Sequence, residues 1–492
     1  MNTVEPQGEL LDTLVVGAGI SGLSLAHRLQ QLRNSDQHPW QLLITEGQER
    51  VGGNITTGQA EGFLWEEGPT SFAPNPTLLK LVTEVGLESE LILADRQLPR
   101  YIYWQGQLQP VPMSPPKLLS TRLLSSWGKL RALAGAVGFV KPMIGLDQDH
   151  EETVAQFFSR HLGSEVTQRL VAPFVSGVYA GDIHQLSAAA AFERVTQLAT
   201  LGGGLLPGAI RSRLMHPKPT VDPSLPKTKP GELGSFRSGL QALPQAIASQ
   251  FQQHLRLNWR VKSLQRTEQQ TYLAEISTPE GLQQIAARSV VLTAPAYVTA
   301  ELLRPLHPHV SQALAEFIYP PVACVVLAYP DAAFAAPLRG FGNLIPRQQG
   351  VRTLGTIWSS SLFPGRVPAG WQMLTNFIGG ATDPEVASLS PAAIVQVVHQ
   401  DLRQTLSIKD MQPQVLAVHL WPRAIPQYTL GHERRLQQIR QGLEAFPGVF
   451  LCSNYMGGIA LGDRVQRGQE TALQVHEYLQ SLAATGVMAL NV

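Results

Sequence analysis

The sequence predicts an α/β protein made of a split Rossmann-type cofactor domain, a mixed-sheet second domain and a helical insert. Three observations carry that prediction. An apolar run from Leu11 to Val16 breaks at Gly17-Ala18-Gly19-Ile20-Ser21-Gly22, a helical pattern follows to about Leu32, and a second apolar run, Gln41 to Thr45, stops on Glu46. The last segment repeats the logic: a buried strand, Gly448 to Asn454, enters Tyr455-Met456-Gly457-Gly458 and a helix from about Gly462 to Leu482. Between them, residues 317 to 329 and 353 to 380 are rich in β-branched and apolar residues and predict a second sheet.

The elements follow in order. Gly17 permits the tight turn, Gly19 lets the backbone approach a pyrophosphate, and Gly22 lets helix and strand pack closely. The helix N-terminus offers N–H groups and a partial positive charge to phosphates. Glu46 is placed to accept hydrogen bonds from the adenosine ribose. Arg50-Val51-Gly52-Gly53 adds a cation and a second close backbone approach, which suits the longer FAD rather than NAD. Gly62 to Pro69 reads as a strand-like run closing on a Gly-Pro turn, and Pro74 to Leu91 as a helix. Residues 99 to 112 read as a hairpin turning at Gln105-Gly106, and helices dominate from Lys117 to Ile210. His216 to Pro230 is a proline-rich loop. The chain then returns to the cofactor domain with a helix around Leu243, Ile247 and Phe251. Strands follow at Leu255 to Gln265, Thr271 to Ile276 and Ala287 to Pro295.

Composition narrows the class. The chain has 492 residues, too many for one compact core. Its net charge of +1 makes no case for nucleic acid. Cys324 and Cys452 are too few for a disulfide framework, so a reducing compartment is expected. No apolar stretch is long and unbroken enough to span a bilayer. From Arg96 to Leu146 there is no acidic residue, while Arg96, Arg100, Lys117, Arg122, Lys129, Arg131 and Lys141 are basic. Leucines and Trp127 alternate with those cations, as on a helical surface lying against anionic headgroups; an ordinary core helix with a solvated basic face is the other reading. The histidines show no metal-ligand spacing, and His307-Pro308-His309 reads as a solvated proline loop, so no metal is expected.

Several further motifs stand in order along nearly the whole chain: Glu46 to Asn54, Trp65 to Phe72, Phe174 to Asp182, Gly234-Ser235-Phe236-Arg237, Ile425-Pro426-Gln427-Tyr428 and Asn454 to Gly458. With the Gly17–Gly22 turn they resemble the oxygen-dependent, FAD-containing protoporphyrinogen IX oxidases of plants and cyanobacteria, on the fold of the FAD-dependent amine oxidases. The resemblance implies a split FAD-binding domain over residues 1–95, 232–300 and 413–492. It implies a substrate domain over 96–110 and 301–412, and a membrane-associating helical insert over 111–231. It implies six-electron oxidation of protoporphyrinogen IX to protoporphyrin IX in haem and chlorophyll biosynthesis, with O2 as acceptor and H2O2 released.

For the substrate, the resemblance assigns Arg100 to a propionate, Leu344 and Ile357 to an aliphatic clamp on one pyrrole ring, Phe377 to an aromatic wall and Gly177 to a backbone carbonyl facing the macrocycle. Ile357 stands where the family pattern carries leucine. On pattern alone Arg100 reads equally as a surface arginine, and Leu344, Ile357 and Phe377 as core residues. For non-covalent FAD, the resemblance adds Gly47, Asn54, Gly68, Pro69, Thr70, Ser71, Val261, Trp421, Asn454, Ile459, Ala460 and Leu461 to Gly17–Gly22, Glu46, Arg50 and Gly53. Cys452 reads as packing rather than as a flavin anchor. No protein side chain is expected to carry the redox chemistry, which belongs to the flavin.

Two rival functions stay open. A flavin amine oxidase or carotenoid desaturase would share the fold, with Trp421 and Tyr455 imitating an aromatic pair, although Arg100 would be a poor neighbour for a cationic substrate. A porphyrin-binding flavoprotein without turnover would use the same wall. The partners the resemblance admits are an anionic membrane surface, ferrochelatase or magnesium chelatase, and a second copy in a homodimer. The family's plastid transit peptide is absent, so a cyanobacterial-type cell is expected, with the protein cytoplasmic or peripheral on the cytoplasmic membrane face.

Overall fold

The computed structural model describes residues 10–33, 40–140, 151–215 and 222–484. A seven-stranded sheet carries the first domain. Its order is Arg260–Arg266, Tyr272–Thr278, Gly281–Leu292, Leu11–Val16, Leu42–Thr45 and Leu255–Arg256, and Val449–Leu451 also pairs with Gly281–Leu292. The long Gly281–Leu292 strand has two halves. Its first half runs antiparallel to Tyr272–Thr278, and its second runs parallel to Leu11–Val16 and Val449–Leu451. Only the second half is buried, apart from the partly exposed Arg288, as parallel strands covered on both faces must be. That is why sequence patterning finds the strand from Ala287 onward and overlooks its start at Gly281.

Helix Ile20–Arg33 covers this sheet and packs on the C-terminal helix Leu461–Ala484. The contact is close because Gly468 has no side chain: a Cβ there would lie 2.3 Å from the Ser24 hydroxyl and 3.0 Å from the Ser21 carbonyl. The expected helix from Pro74 to Leu91 is shorter. It runs from Pro76 to Glu84, capped by the Asn75 side chain accepting from the Leu78 N–H at 2.8 Å, and ends before Gly86, at φ +74. Leu91–Leu93 is instead a strand paired with Gly234–Phe236. The His307 segment is not a solvated loop either. His307 caps helix Pro308–Ala315, its Nδ1 accepting from the Val310 N–H at 3.2 Å.

The second sheet also has seven strands, in the order Gln414–Trp421, Val322–Pro330, Trp371–Gly379, Thr353–Trp358, Gly342–Leu344, Arg100–Trp104 and Gln107–Pro110. Every pair is antiparallel except Gly342–Leu344 with Arg100–Trp104, so the sheet is mixed. The hairpin around Gln105-Gly106 forms its edge. Two expected boundaries move. Gln414–Trp421 completes this second sheet rather than opening the last cofactor segment at 413. Helices Ala296–Leu303 and Pro308–Ala315 pack into the core of the first sheet, so a boundary at 300/301 cuts through the first domain.

The insert is helical, from Pro115–Ser120 to Leu205–Met215, with a π-helical turn at Thr167–Val171 leading into helix Ala172–Tyr179. The basic Lys141 and the start of the 216–230 loop lie outside the described residues. Among the described residues, no helix is long and apolar enough to cross a membrane.

The packing of the two long helices is testable. Gly468→Val is expected to lower stability by about 1–3 kcal/mol through overpacking against Ser21 and Ser24, read as a fall in thermal midpoint; an unchanged midpoint would mean the helices can separate without cost.

Candidate active site

Three loops leave the carboxyl ends of three adjacent parallel strands: Gly17 after Val16, Thr293 after Leu292, and Cys452 to Asn454 after Leu451. In open α/β sheets that edge is where ligands bind. The glycine turn is tight here. A side chain at Gly17, whose φ is +110, would meet the Thr293 hydroxyl at 2.5 Å, and one at Gly22 would meet the Gly17 carbonyl at 2.1 Å. Gly19 bridges Gly52, the Gly52 N–H donates to the Ala18 carbonyl at 2.9 Å, and a Cβ on Gly53 would sit 3.5 Å from the Gly19 Cα. Two glycine turns thus abut, leaving bare backbone where side chains would fill the space. That is the cradle a diphosphate needs.

Glu46 borders this cradle. Its carboxylate accepts from the Ala18 N–H at 2.9 Å and the Gln48 N–H at 3.0 Å. A carboxylate has about four acceptor positions, so capacity remains for ribose hydroxyls. Arg50 donates to the carbonyls of Val51 and Ile55, beside Gly53. Ile20 and Ser21 are buried in the first turn of the helix. Arg260 belongs to this corner too and escaped sequence reasoning. Its side chain lies along Gly47, 3.2 Å from where a Cβ would stand. The Trp259 N–H paired with the Glu46 carbonyl and the Asn258 N–H paired with the Gln48 carbonyl bring it there. Its neighbour Val261 points the other way, into the core.

Further along, Gly68 presses on Asn54. A Cβ on Gly68 would lie 2.0 Å from the Asn54 carbonyl and 3.9 Å from the Trp421 ring. The Trp421 indole donates to the Glu67 carbonyl at 2.8 Å. Asn54, Gly68 and Trp421 therefore meet, with Pro69, Thr70 and Ser71 following on the same loop. After the last parallel strand, the Asn454 carbonyl accepts from the Tyr428 hydroxyl, and Gly457 and Gly458 take φ of +132 and +66; Ile459 and Ala460 follow, and Leu461 opens the last helix. Cys452 is fully buried, and burial pushes its thiol up to about 11, so it packs and carries no reactive thiolate. Tyr455 is also fully buried, against Phe317, and cannot form an aromatic pair with Trp421.

The substrate candidates converge on one face of the second sheet. Arg100 stands in register with Gly342, Gly342 with Ile357, and Ile357 with Thr375. Two residues further on, Leu344 registers with Gly355, Gly355 with Phe377, and Phe377 with Cys324. Side chains two apart on a strand share a face, so Arg100, Ile357, Leu344 and Phe377 form one surface. That face meets the first domain, since the Cys324 thiol approaches the Glu66 carbonyl at 3.7 Å. All four are only half-buried, whereas Asn343, Ile345, Thr356, Trp358, Asn376 and Ile378 between them are buried. Gly177 faces them from helix Ala172–Tyr179, where a Cβ would fall 2.3 Å from Leu344 Cδ2. Arg100 lies 5.2 Å from the centre of the Phe341 ring, and among the described residues no carboxylate pairs with it. Burial pushes its guanidinium below the usual arginine range, the expected penalty for a half-covered cation with no counter-ion.

Between this wall and the Thr70 loop lies a small cavity lined by Trp65, Glu66, Thr70, Ile357, Arg366 and Thr375. Glu66 and Arg366 form a buried ion pair there, Oε1 to Nη2, at 3.2 Å. Burial drives the Glu66 carboxyl above the usual carboxylate range, opposed by the Arg366 cation and by hydrogen bonds from Thr57 and Leu240. Nothing in local sequence marks Arg366, which sits in a loop.

The chain matches the model of the family "Flavin containing amine oxidoreductase" over residues 20–476. It is 44% identical over 485 residues to the chloroplastic protoporphyrinogen oxidase of Nicotiana tabacum, covering 96% of this chain and 87% of that protein. It is 43% identical over 486 residues to the chloroplastic protoporphyrinogen oxidase of Oryza sativa subsp. japonica, covering 96% and 89%. A crystal structure of a protein from Exiguobacterium sp. superposes with a TM-score of 0.77 at 22% identity, covering 96% of this chain and all of that one, a likeness of fold.

Removing the carboxylate at the cradle should weaken FAD. Glu46→Ala is expected to raise the FAD dissociation constant by roughly ten- to a hundredfold, the worth of one or two charged hydrogen bonds. Titration of apoprotein followed by flavin fluorescence checks it, and an unchanged constant would place the ribose elsewhere.

Proposed function

The chain belongs to the flavin-containing amine oxidoreductase family, and from that premise we propose that it oxidises protoporphyrinogen IX to protoporphyrin IX, with three O2 consumed and three H2O2 released. The observation that carries this reading is the shared face of Arg100, Ile357, Leu344 and Phe377, with Gly177 opposite. A flat macrocycle with two propionates asks for broad apolar walls and one well-placed cation, and this face offers both. Arg100, partly desolvated and without a carboxylate of its own, is suited to take a propionate. An amine substrate would meet that cation unfavourably, and Tyr455, buried in the core, cannot pair with Trp421.

The two-electron redox chemistry, and its renewal by O2, come from bound FAD. The chain's residues do the rest. The Gly17–Gly22 and Gly52–Gly53 turns and Glu46 would hold the adenosine diphosphate end, and Asn54, Gly68 to Ser71, Trp421 and Asn454 would hold the flavin end. Both cysteines are buried, which supports non-covalent attachment. Ile357, Leu344 and Phe377 orient the macrocycle and exclude water, while Gly177 leaves room for it.

The insert supports a peripheral membrane role. Trp127 is 73% exposed, Phe139 77% and Leu214 79%. They are carried on or just after helices Ser126–Ala136 and Leu205–Met215, which adjoin where Gly204 meets Gly138. Lys129, Arg211 and Arg213 stand on the same two helices, and Lys117 on the preceding helix Pro115–Ser120. Exposed aromatic and aliphatic side chains among cations suit the headgroup region of an anionic bilayer. An ordinary core helix would not leave them uncovered. Cells with such membranes would place the enzyme on their cytoplasmic face, handing product to ferrochelatase or magnesium chelatase, as a monomer or a homodimer.

Formation of fluorescent protoporphyrin under air tests the activity, and its absence would overturn the proposal. On the same assay, Arg100→Ala should raise KM roughly ten- to a hundredfold with a smaller change in kcat, because a propionate contact remote from the oxidised methylene is similar in ground and transition states. An unchanged KM would remove Arg100 from the site. Co-sedimentation with acidic liposomes should fall steeply with salt; equal binding to neutral and acidic liposomes would exclude the electrostatic contact.

A further inference from the structure

The loop from Phe363 to Gly370 leaves the second sheet and reaches into the first domain. At its tip Arg366 is 4% exposed, and its Nη2 donates to the Ser235 hydroxyl at 2.6 Å and the Phe236 carbonyl at 3.2 Å. The same guanidinium pairs with Glu66 and lies 4.8 Å from the centre of the Phe363 ring. The Arg366 carbonyl in turn accepts from the Leu64 N–H at 2.9 Å. Glu66 binds the other pieces: its Oε1 accepts from the Leu240 N–H at 2.9 Å and its Oε2 from the Thr57 hydroxyl at 2.6 Å. One ion pair therefore ties together three stretches of the first domain, at 57–66, 235–236 and 240, and pins the second sheet to them.

Its location matters more than its strength. Glu66 and Arg366 line the cavity that separates Ile357 and Thr375, on the row of Arg100, from Thr70, on the loop after Gly68. The strand that carries Glu66 runs straight into that loop, and the loop that carries Arg366 runs straight into strand Trp371–Gly379, which bears Thr375 and Phe377. Moving either partner moves one wall of the site relative to the other.

We propose that Glu66 and Arg366 are a positioning pair, which sets the distance and tilt of the macrocycle wall against the flavin-side loop without touching substrate. This rests on the reading of the site as a protoporphyrinogen oxidase. Buried pairs of this kind contribute little net stability, because desolvation offsets their attraction, but they hold one geometry and are costly to break singly. A small misplacement of a reacting atom slows chemistry far more than it weakens binding.

The expected pattern is therefore the reverse of that for Arg100. In holoenzyme, Glu66→Gln and Arg366→Met should lower kcat by about tenfold or more while KM for protoporphyrinogen changes by less than about threefold. Flavin content and visible flavin spectrum should stay as in the parent. Arg366→Lys should recover part of the kcat, since it restores the charge and one donor. Where a single variant leaves a lone buried charge and fails to fold, the neutral double variant Glu66→Gln/Arg366→Met decides, and it too should be slow at near-normal KM. A folded, flavin-loaded double variant with parental kcat would overturn the positioning role, as would a rise in KM with kcat unchanged. A parent protein that forms no protoporphyrin at all would overturn the functional reading instead, and this inference with it.

Discussion

Three parallel strands, Leu11–Val16, Gly281–Leu292 and Val449–Leu451, must lie side by side, and the architecture follows from that requirement. They come from the beginning, middle and end of the chain. Each contributes one loop to the same edge, so the cofactor crevice closes only after the whole chain has folded. Everything between them, the second sheet and the helical insert included, is an excursion that must return. Long closures of this kind cost little extra entropy once the ends are paired, since the cost grows only with the logarithm of loop length. The sheet can therefore tolerate large insertions on either side of Gly281–Leu292.

The second constraint is the seam between the sheets. Phe63 and Trp65 pack against Cys324, Val326, Ala328 and Met373, so the hairpin before Gly68 belongs to the core of the second sheet as much as to the first domain. Apolar packing supplies most of the adhesion. The polar groups in the seam, the Trp421 indole on the Glu67 carbonyl and Glu66 with Arg366, supply direction, because hydrogen bonds are satisfied in one arrangement only. The wall formed by Arg100, Ile357, Leu344 and Phe377 inherits its orientation from that seam.

The insert contributes to both surfaces of the protein. Helix Ala172–Tyr179 turns Gly177 toward Leu344, while Phe174 and Val178 on the same helix are exposed. The π-helical turn before it, Thr167–Val171, carries Arg169, whose guanidinium lies 4.8 Å from the centre of the Trp104 ring on the strand that begins with Arg100. One short, continuous stretch of chain thus reaches both the wall, through Gly177, and the outer apolar surface.

The sequence by itself determined the cofactor half-domain, the hairpin at Gln105-Gly106 and the terminal strand–glycine–helix unit. Each depends on residues close in the chain: glycines where a Cβ has no space, an acid at a strand end, a turn of fixed length. It also determined, through family likeness, which scattered residues to look for on a substrate wall. Only the tertiary structure decided that those residues share one face, because strand register between segments hundreds of residues apart leaves no local trace. The same holds for the assignment of Gln414–Trp421 to the second sheet, the burial of Tyr455, the capping role of His307 and the placement of Arg260 on Gly47. Arg366 is the clearest case. An arginine in a Pro-Gly-Arg loop carries no local sign of burial, and its buried partners are distant in the chain: Glu66, three hundred residues earlier, Ser235 and Phe236.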